Sequence, residues 1–180
     1  HEHERPGELE QALLEHLERR DVEVVGGLVE QQQVGRLQHQ AGEHHARLLA
    51  AMPRVELVAV VDTDPERGAA TAAKCGTVAL ANVSTLVGNV DAAIIATPTT
   101  SHVEMALPFI EAGAAVLVEK PIAASVAEAD RLVEAAAVRG TVLATGHTER
   151  FNPAVTAALP LVSRPRFIEI HRLGAFPDRS

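Results

Sequence analysis

The chain has no tryptophan, no tyrosine, four phenylalanines and one cysteine in 180 residues. So few aromatic faces exclude a stacking platform for single-stranded nucleic acid. Sixteen Lys and Arg against 24 Asp and Glu leave a net charge of −8, which excludes a binder of phosphate backbones, so no nucleic-acid partner is expected. Cys75 has no second cysteine to pair with, which suits a reducing compartment. No apolar run reaches the length of a membrane span and the first residues are charged, so neither a membrane segment nor a secretion signal is expected. These absences predict a cytoplasmic protein. What is present is hydrophobic content of 47 %, mostly Ala, Val and Leu, enough for one sizeable core.

Periodicity places the elements. Residues 1–20 are polar, with Leu9, Ala12, Leu13 and Leu17 at helical spacing, and read as an amphipathic extension. Val22 to Val25 reads as a short strand closed by Gly26-Gly27, and the Gln-rich stretch from Glu30 to Gly42 as a loop. Strands are predicted at 55–61, 77–80, 92–96, 115–118 and 141–145, and helices at 43–52, 65–75, 101–112, 125–139 and 153–162. The caps are Asp64 with Pro65, Ser101 with Gly113, and Ser125 with Glu128 and Gly140. Alternating strand and helix predicts an α/β fold, a Rossmann-like doubly wound parallel sheet over residues 21–150. Arg166 to Arg172 alternates apolar and polar residues, as a strand with one wet face does. One strand makes no stable sheet, so residues 151–180 read as the start of a second α/β domain that is truncated.

Candidate site residues follow the strands, because ligands in open α/β sheets sit beyond the carboxyl ends. The apolar run Val116-Leu117-Val118 ends abruptly in Glu119-Lys120-Pro121. A lysine held there by a proline is placed to exchange a proton with a substrate hydroxyl or carbonyl. Asp62 ends the second long strand, 20 residues after Gly42, where a carboxylate accepts hydrogen bonds from adenosine ribose hydroxyls. It would repel a 2′-phosphate and so favours NAD over NADP, a preference that nearby Arg67 softens. The glycine turn is irregular. A fingerprint ending at Gly42 needs glycine at positions occupied by Leu37 and His39. The other registers use Gly35 with Gly42, or Gly26 and Gly27 with an enlarged loop. Thr97-Pro98-Thr99 would floor the nicotinamide ribose, with His102 one turn further on. Glu119 would hold that ribose or orient Lys120. Arg150 and Asn152 are candidate contacts to substrate phosphate or cofactor. His44 and His45 are adjacent on a helix and diverge, so no metal site is expected.

Taken together, Glu43-His44-His45-Ala46-Arg47, Val60-Val61-Asp62-Thr63-Asp64-Pro65-Glu66-Arg67, Ala96-Thr97-Pro98-Thr99 with His102, Glu119-Lys120-Pro121, and Gly146-His147 through Pro153 resemble the glucose-fructose oxidoreductase / inositol dehydrogenase / MocA family. The resemblance covers roughly residues 42–180. It implies an NAD- or NADP-binding Rossmann domain with Lys120 as the catalytic lysine. It also implies a C-terminal α/β domain that shapes the substrate site and often a homo-oligomer interface. The segments from Gly146 and from Phe167 are similar to a branch acting on nucleotide sugars such as UDP-N-acetylglucosamine. The family's second catalytic element, an Asp-x-x-x-His segment, would fall beyond Ser180. The implied activity is hydride transfer between nicotinamide and a sugar hydroxyl or ketone. Another polyol or ketone as substrate stays open, as does a non-catalytic NAD-binding regulator or remnant.

Overall fold

The computed structural model describes residues 22–28, 35–164, 166, 167 and 169. The expected N-terminal helix and the strand expected at Arg166 to Arg172 lie outside the described residues, wholly or in the main. Six parallel strands form one sheet: β1 (Val22–Leu28), β2 (Val55–Asp62), β3 (Val78–Leu80), β4 (Ala92–Ile95), β5 (Ala115–Val118) and β6 (Leu143–Thr145). Their order is β3-β2-β1-β4-β5-β6, the doubly wound arrangement in which the chain reverses its direction of winding beside β1. Helices α1 (Gly35–Ala50), α2 (Pro65–Cys75), α3 (His102–Glu111) and α4 (Val126–Arg139) make the crossovers, and a short α5 (Pro153–Ala158) follows β6.

The inner strands β4 and β5 are apolar and buried at every position because both faces are covered. Successive residues of β4 and β5 point to opposite sides. Ala93, Ile95, Val116 and Val118 pack with Phe109, Ile110 and Leu132 of α3 and α4. Ala92, Ile94, Ala115 and Leu117 pack with Ala46 and Leu49 of α1 and Ala72 of α2.

The helix ends follow local chemistry. Asp64 accepts from the amides of Glu66 and Arg67, Pro65 opens α2, and Gly76 closes it at φ 70°. Ser125 accepts from the Glu128 amide, Glu128 accepts from the Ala124 amide, and Gly140 closes α4 at φ 63°. Four expectations are corrected. The first strand runs on through Gly26-Gly27 to Leu28, because pairing with β2 on one side and β4 on the other holds the glycines in the ladder. The Gln-rich stretch is helical from Gly35, since glutamine and leucine are good helix formers whatever their apolar period. Ser101 makes no side-chain cap. It ends a 3-10 turn, Thr99–Ser101, and its hydroxyl donates to the Pro98 carbonyl at 2.8 Å. The helix from Pro153 gives way to a 3-10 turn at Leu159–Leu161, where Pro160 has no amide to extend the helical ladder.

Candidate cofactor and catalytic site

The register aligns the strand ends. Leu28 pairs with Asp62, Gly27 with Ile95, Ile95 with Val118, and Val118 with Thr145. The next residues therefore emerge along one edge of the sheet: Thr97-Pro98 after β4, Glu119-Lys120-Pro121 after β5 and Gly146-His147 after β6. Asp62 closes the row on the β2 side, with its side chain wholly buried.

Glu119 is held at both carboxylate oxygens. Its Oε1 accepts from His45 Nε2 at 2.9 Å, across from α1. Its Oε2 accepts from the Lys120 amide at 3.1 Å. Burial pushes the Glu119 carboxyl up, but the His45 hydrogen bond, the Lys120 amide and the charges of His45 and Lys120 outweigh it and hold it below the ordinary range. Gly146 makes room, because a Cβ there would stand 2.9 to 3.1 Å from the Glu119 carboxylate atoms. Lys120 itself is exposed, and the Lys120-Pro121 peptide is cis.

His102 is fully buried, so the structure places it beneath the loop. Its Nδ1 lies 2.9 Å from the Pro121 carbonyl and its Nε2 2.8 Å from the Thr97 carbonyl. One imidazole thus joins the loop after β4 to the loop that carries Lys120. In either neutral tautomer it donates to one carbonyl, and as imidazolium to both. Thr97 is buried and Pro98 half-buried.

The glycines divide. Gly35 is the first residue of α1, at the helix end that favours an anion. Gly42, expected at the start of a helix, lies seven residues inside α1, about 10 Å along the axis at 1.5 Å per residue. That depth removes it from the helix end where a phosphate would bind. Residues 29–34, between β1 and α1, lie outside the described residues. Arg150 is exposed in a 3-10 turn, Thr148–Phe151. Asn152 caps α5: Oδ1 accepts from the Ala154 amide at 3.0 Å and Nδ2 donates to Glu149 at 2.9 Å. The sequence reading missed His45 as the partner of Glu119. Its position beside Ala46, on the buried side of α1, was the available signal. Among the described residues no cluster of His, Cys, Asp or Glu could hold a metal ion, and no helix is long and apolar enough to cross a membrane.

A family model for the Gfo/Idh/MocA oxidoreductases, described as the NAD-binding Rossmann fold, matches residues 34–147. The chain belongs to this family. A UDP-N-acetylglucosamine 3-dehydrogenase of Acidithiobacillus ferrooxidans is 38 % identical over 140 residues, 77 % of this chain and 44 % of that protein. Inositol 2-dehydrogenase 1 of Saccharopolyspora erythraea is 38 % identical over 119 residues, 63 % of this chain and 35 % of the relative. Among solved structures, GenD2 from gentamicin A biosynthesis, in complex with NAD, superposes with TM-score 0.69 at 33 % identity, covering 79 % of this chain and 39 % of that one. The chain spans less than half the length of these family members. The Rossmann fold, the family and its NAD-binding domain are those the sequence led us to expect.

Proposed function

We propose that this chain forms the cofactor half of an NAD-dependent oxidoreductase that moves hydride between nicotinamide and a sugar hydroxyl carbon. The observation that carries the reading is Glu119, pinned by His45 and its neighbour's amide, with exposed Lys120 directly after it at the end of β5. The described residues fit a dinucleotide. Asp62 is a buried carboxylate at the end of β2 whose oxygens accept N–H donors, as ribose hydroxyls require, and α1 begins at Gly35 with the positive end of its dipole. Asp62 would hold the adenosine ribose, the start of α1 the phosphates, and Thr97, Pro98 and Glu119 the nicotinamide side. Bound nicotinamide supplies the hydride acceptor. Lys120 steadies the developing alkoxide or carries away its proton, and Glu119 fixes the backbone from which Lys120 projects.

The substrate class is a nucleotide sugar such as UDP-N-acetylglucosamine, by likeness to the Acidithiobacillus ferrooxidans enzyme. A free polyol is the second reading, favoured by the inositol 2-dehydrogenase relative. Substrate contact by Arg150, a second domain beginning near residue 151 and assembly into a homo-oligomer belong to the same proposal. Titration with NADH, followed by nicotinamide fluorescence, should saturate. Turnover is assayed with NAD and either UDP-N-acetylglucosamine or myo-inositol. Lys120→Met should leave NADH binding unchanged and lower turnover by about 10²- to 10⁴-fold. Retained turnover removes Lys120 from the chemistry, and no saturable binding overturns the dinucleotide reading.

A further inference from the structure

Lys120 follows Glu119 directly, yet their side chains do not pair. Both carboxylate oxygens are taken elsewhere, Oε1 by His45 Nε2 at 2.9 Å and Oε2 by the Lys120 backbone amide at 3.1 Å. An ionised carboxylate only accepts, so His45 Nε2 carries the proton of this bond. The contact is shielded from water, with the His45 and Glu119 side chains 6 % and 12 % exposed, and low surrounding polarity strengthens it. Gly146 forms a third wall, since its missing Cβ leaves the carboxylate its place. Lys120 is exposed, and among the described residues no carboxylate pairs with its Nζ. The chain's other lysine shows the opposite arrangement. Lys74 Nζ donates to Glu43 Oε1 at 2.6 Å, and that hydrogen bond, with the Glu43 charge, holds its amine above the ordinary lysine range.

We propose that His45 is a positioning residue that keeps Glu119 off the Lys120 amine, so that the amine stays free to meet a substrate oxygen. The proposal rests on the reading of Lys120 above. The Lys120 charge already acts on the Glu119 carboxyl, together with that of His45. A four-carbon lysine stem is flexible enough to bring its ammonium to a carboxylate beside it. Without the imidazole, Oε1 is left as a buried acceptor that has lost its donor, which is costly, and Lys120 is the cation at hand. An ion pair between them holds the amine protonated, and a protonated amine neither accepts a proton nor attacks an electrophile. His45 thus acts on the chemistry from α1, through Glu119 and without touching substrate.

The test is the rate at which acetic anhydride acetylates Lys120 at neutral pH, read by peptide mass spectrometry against Lys74 in the same molecule. Neither nucleotide nor substrate is present, so the outcome is separate from the NADH titration and the Lys120→Met assay, which test the reading of the site. H45F fills the place of the ring without a donor and should slow Lys120 about two- to fivefold relative to Lys74. H45F/E119Q removes the carboxylate charge and should restore the rate of the unsubstituted chain, which a merely loosened loop would not do. G146A displaces the carboxylate while leaving His45 in place. It should slow Lys120 in the same way, so the proposal stays testable if H45F does not fold. A Lys120 rate unmoved in the folded H45F or G146A chain overturns the proposal. So does a Lys120 that stays slow in H45F/E119Q.

Discussion

At the scale of single residues, Gly146 and Glu119 form one unit. The glycine is required by space, since its missing Cβ is where the Glu119 carboxylate sits. Gly146→Ala must push that carboxylate off His45, at a cost of about 1–3 kcal/mol for a displaced hydrogen bond to a charged group. The pH dependence identifies the cause. Glu119 is held below the ordinary carboxylate range, so its stabilisation is present above that range and is lost as pH falls through the depressed native value. Urea midpoints of the unsubstituted chain and Gly146→Ala should therefore differ at neutral pH and converge on acidification. A difference constant in pH would place the cost in the backbone of β6 instead. Lys120 and Asp62 stood out in the sequence because each breaks an apolar strand with a charge. His45 did not, because its partner is 74 residues away and no local pattern carries so long a contact.

At the scale of elements, legibility followed the range of the interaction. The caps at Asp64, Ser125 and Gly140 are decided within four residues and are readable from local chemistry. Ser101 has the right chemistry for a cap, but the 3-10 turn before it and the Pro98 carbonyl claim its hydroxyl. The start of α1 was hidden by composition, as glutamines favour a helix without marking its face. His102 ties two loops that are distant in sequence, and only the fold reveals it. His102→Phe keeps the ring volume but leaves the Thr97 and Pro121 carbonyls without their ring nitrogens. Stability should fall by about 1–3 kcal/mol in urea unfolding, and His102→Gln should recover part of it. If Phe proved as stable as His, the clamp would carry no weight.

At the scale of the whole molecule, the sheet separates two cores that support different parts of the site. The face covered by α3 and α4 carries His102, and the face covered by α1 and α2 stands behind His45 and Arg67. Strand-helix alternation made this layering legible in outline, because parallel strands buried on both sides are apolar throughout. Leu132, with no exposure, anchors α4 to the first core, and Leu49, 6 % exposed, anchors α1 to the second. Each truncation to Ala should cost about 2–5 kcal/mol, since close-packed cores relax only partly around a cavity. Their effects at the site should differ. Leu49 lies one turn from His45 on α1, so Leu49→Ala should loosen the His45 contact and raise the Glu119 carboxyl toward its ordinary range. Leu132→Ala should leave that titration in place despite a similar loss of stability. The Glu119 carboxyl carbon, followed by NMR across acid pH in both variants, reads this directly. Equal shifts in the two would mean that the sheet transmits strain from either face, and that His45 is not the group through which α1 acts on the site.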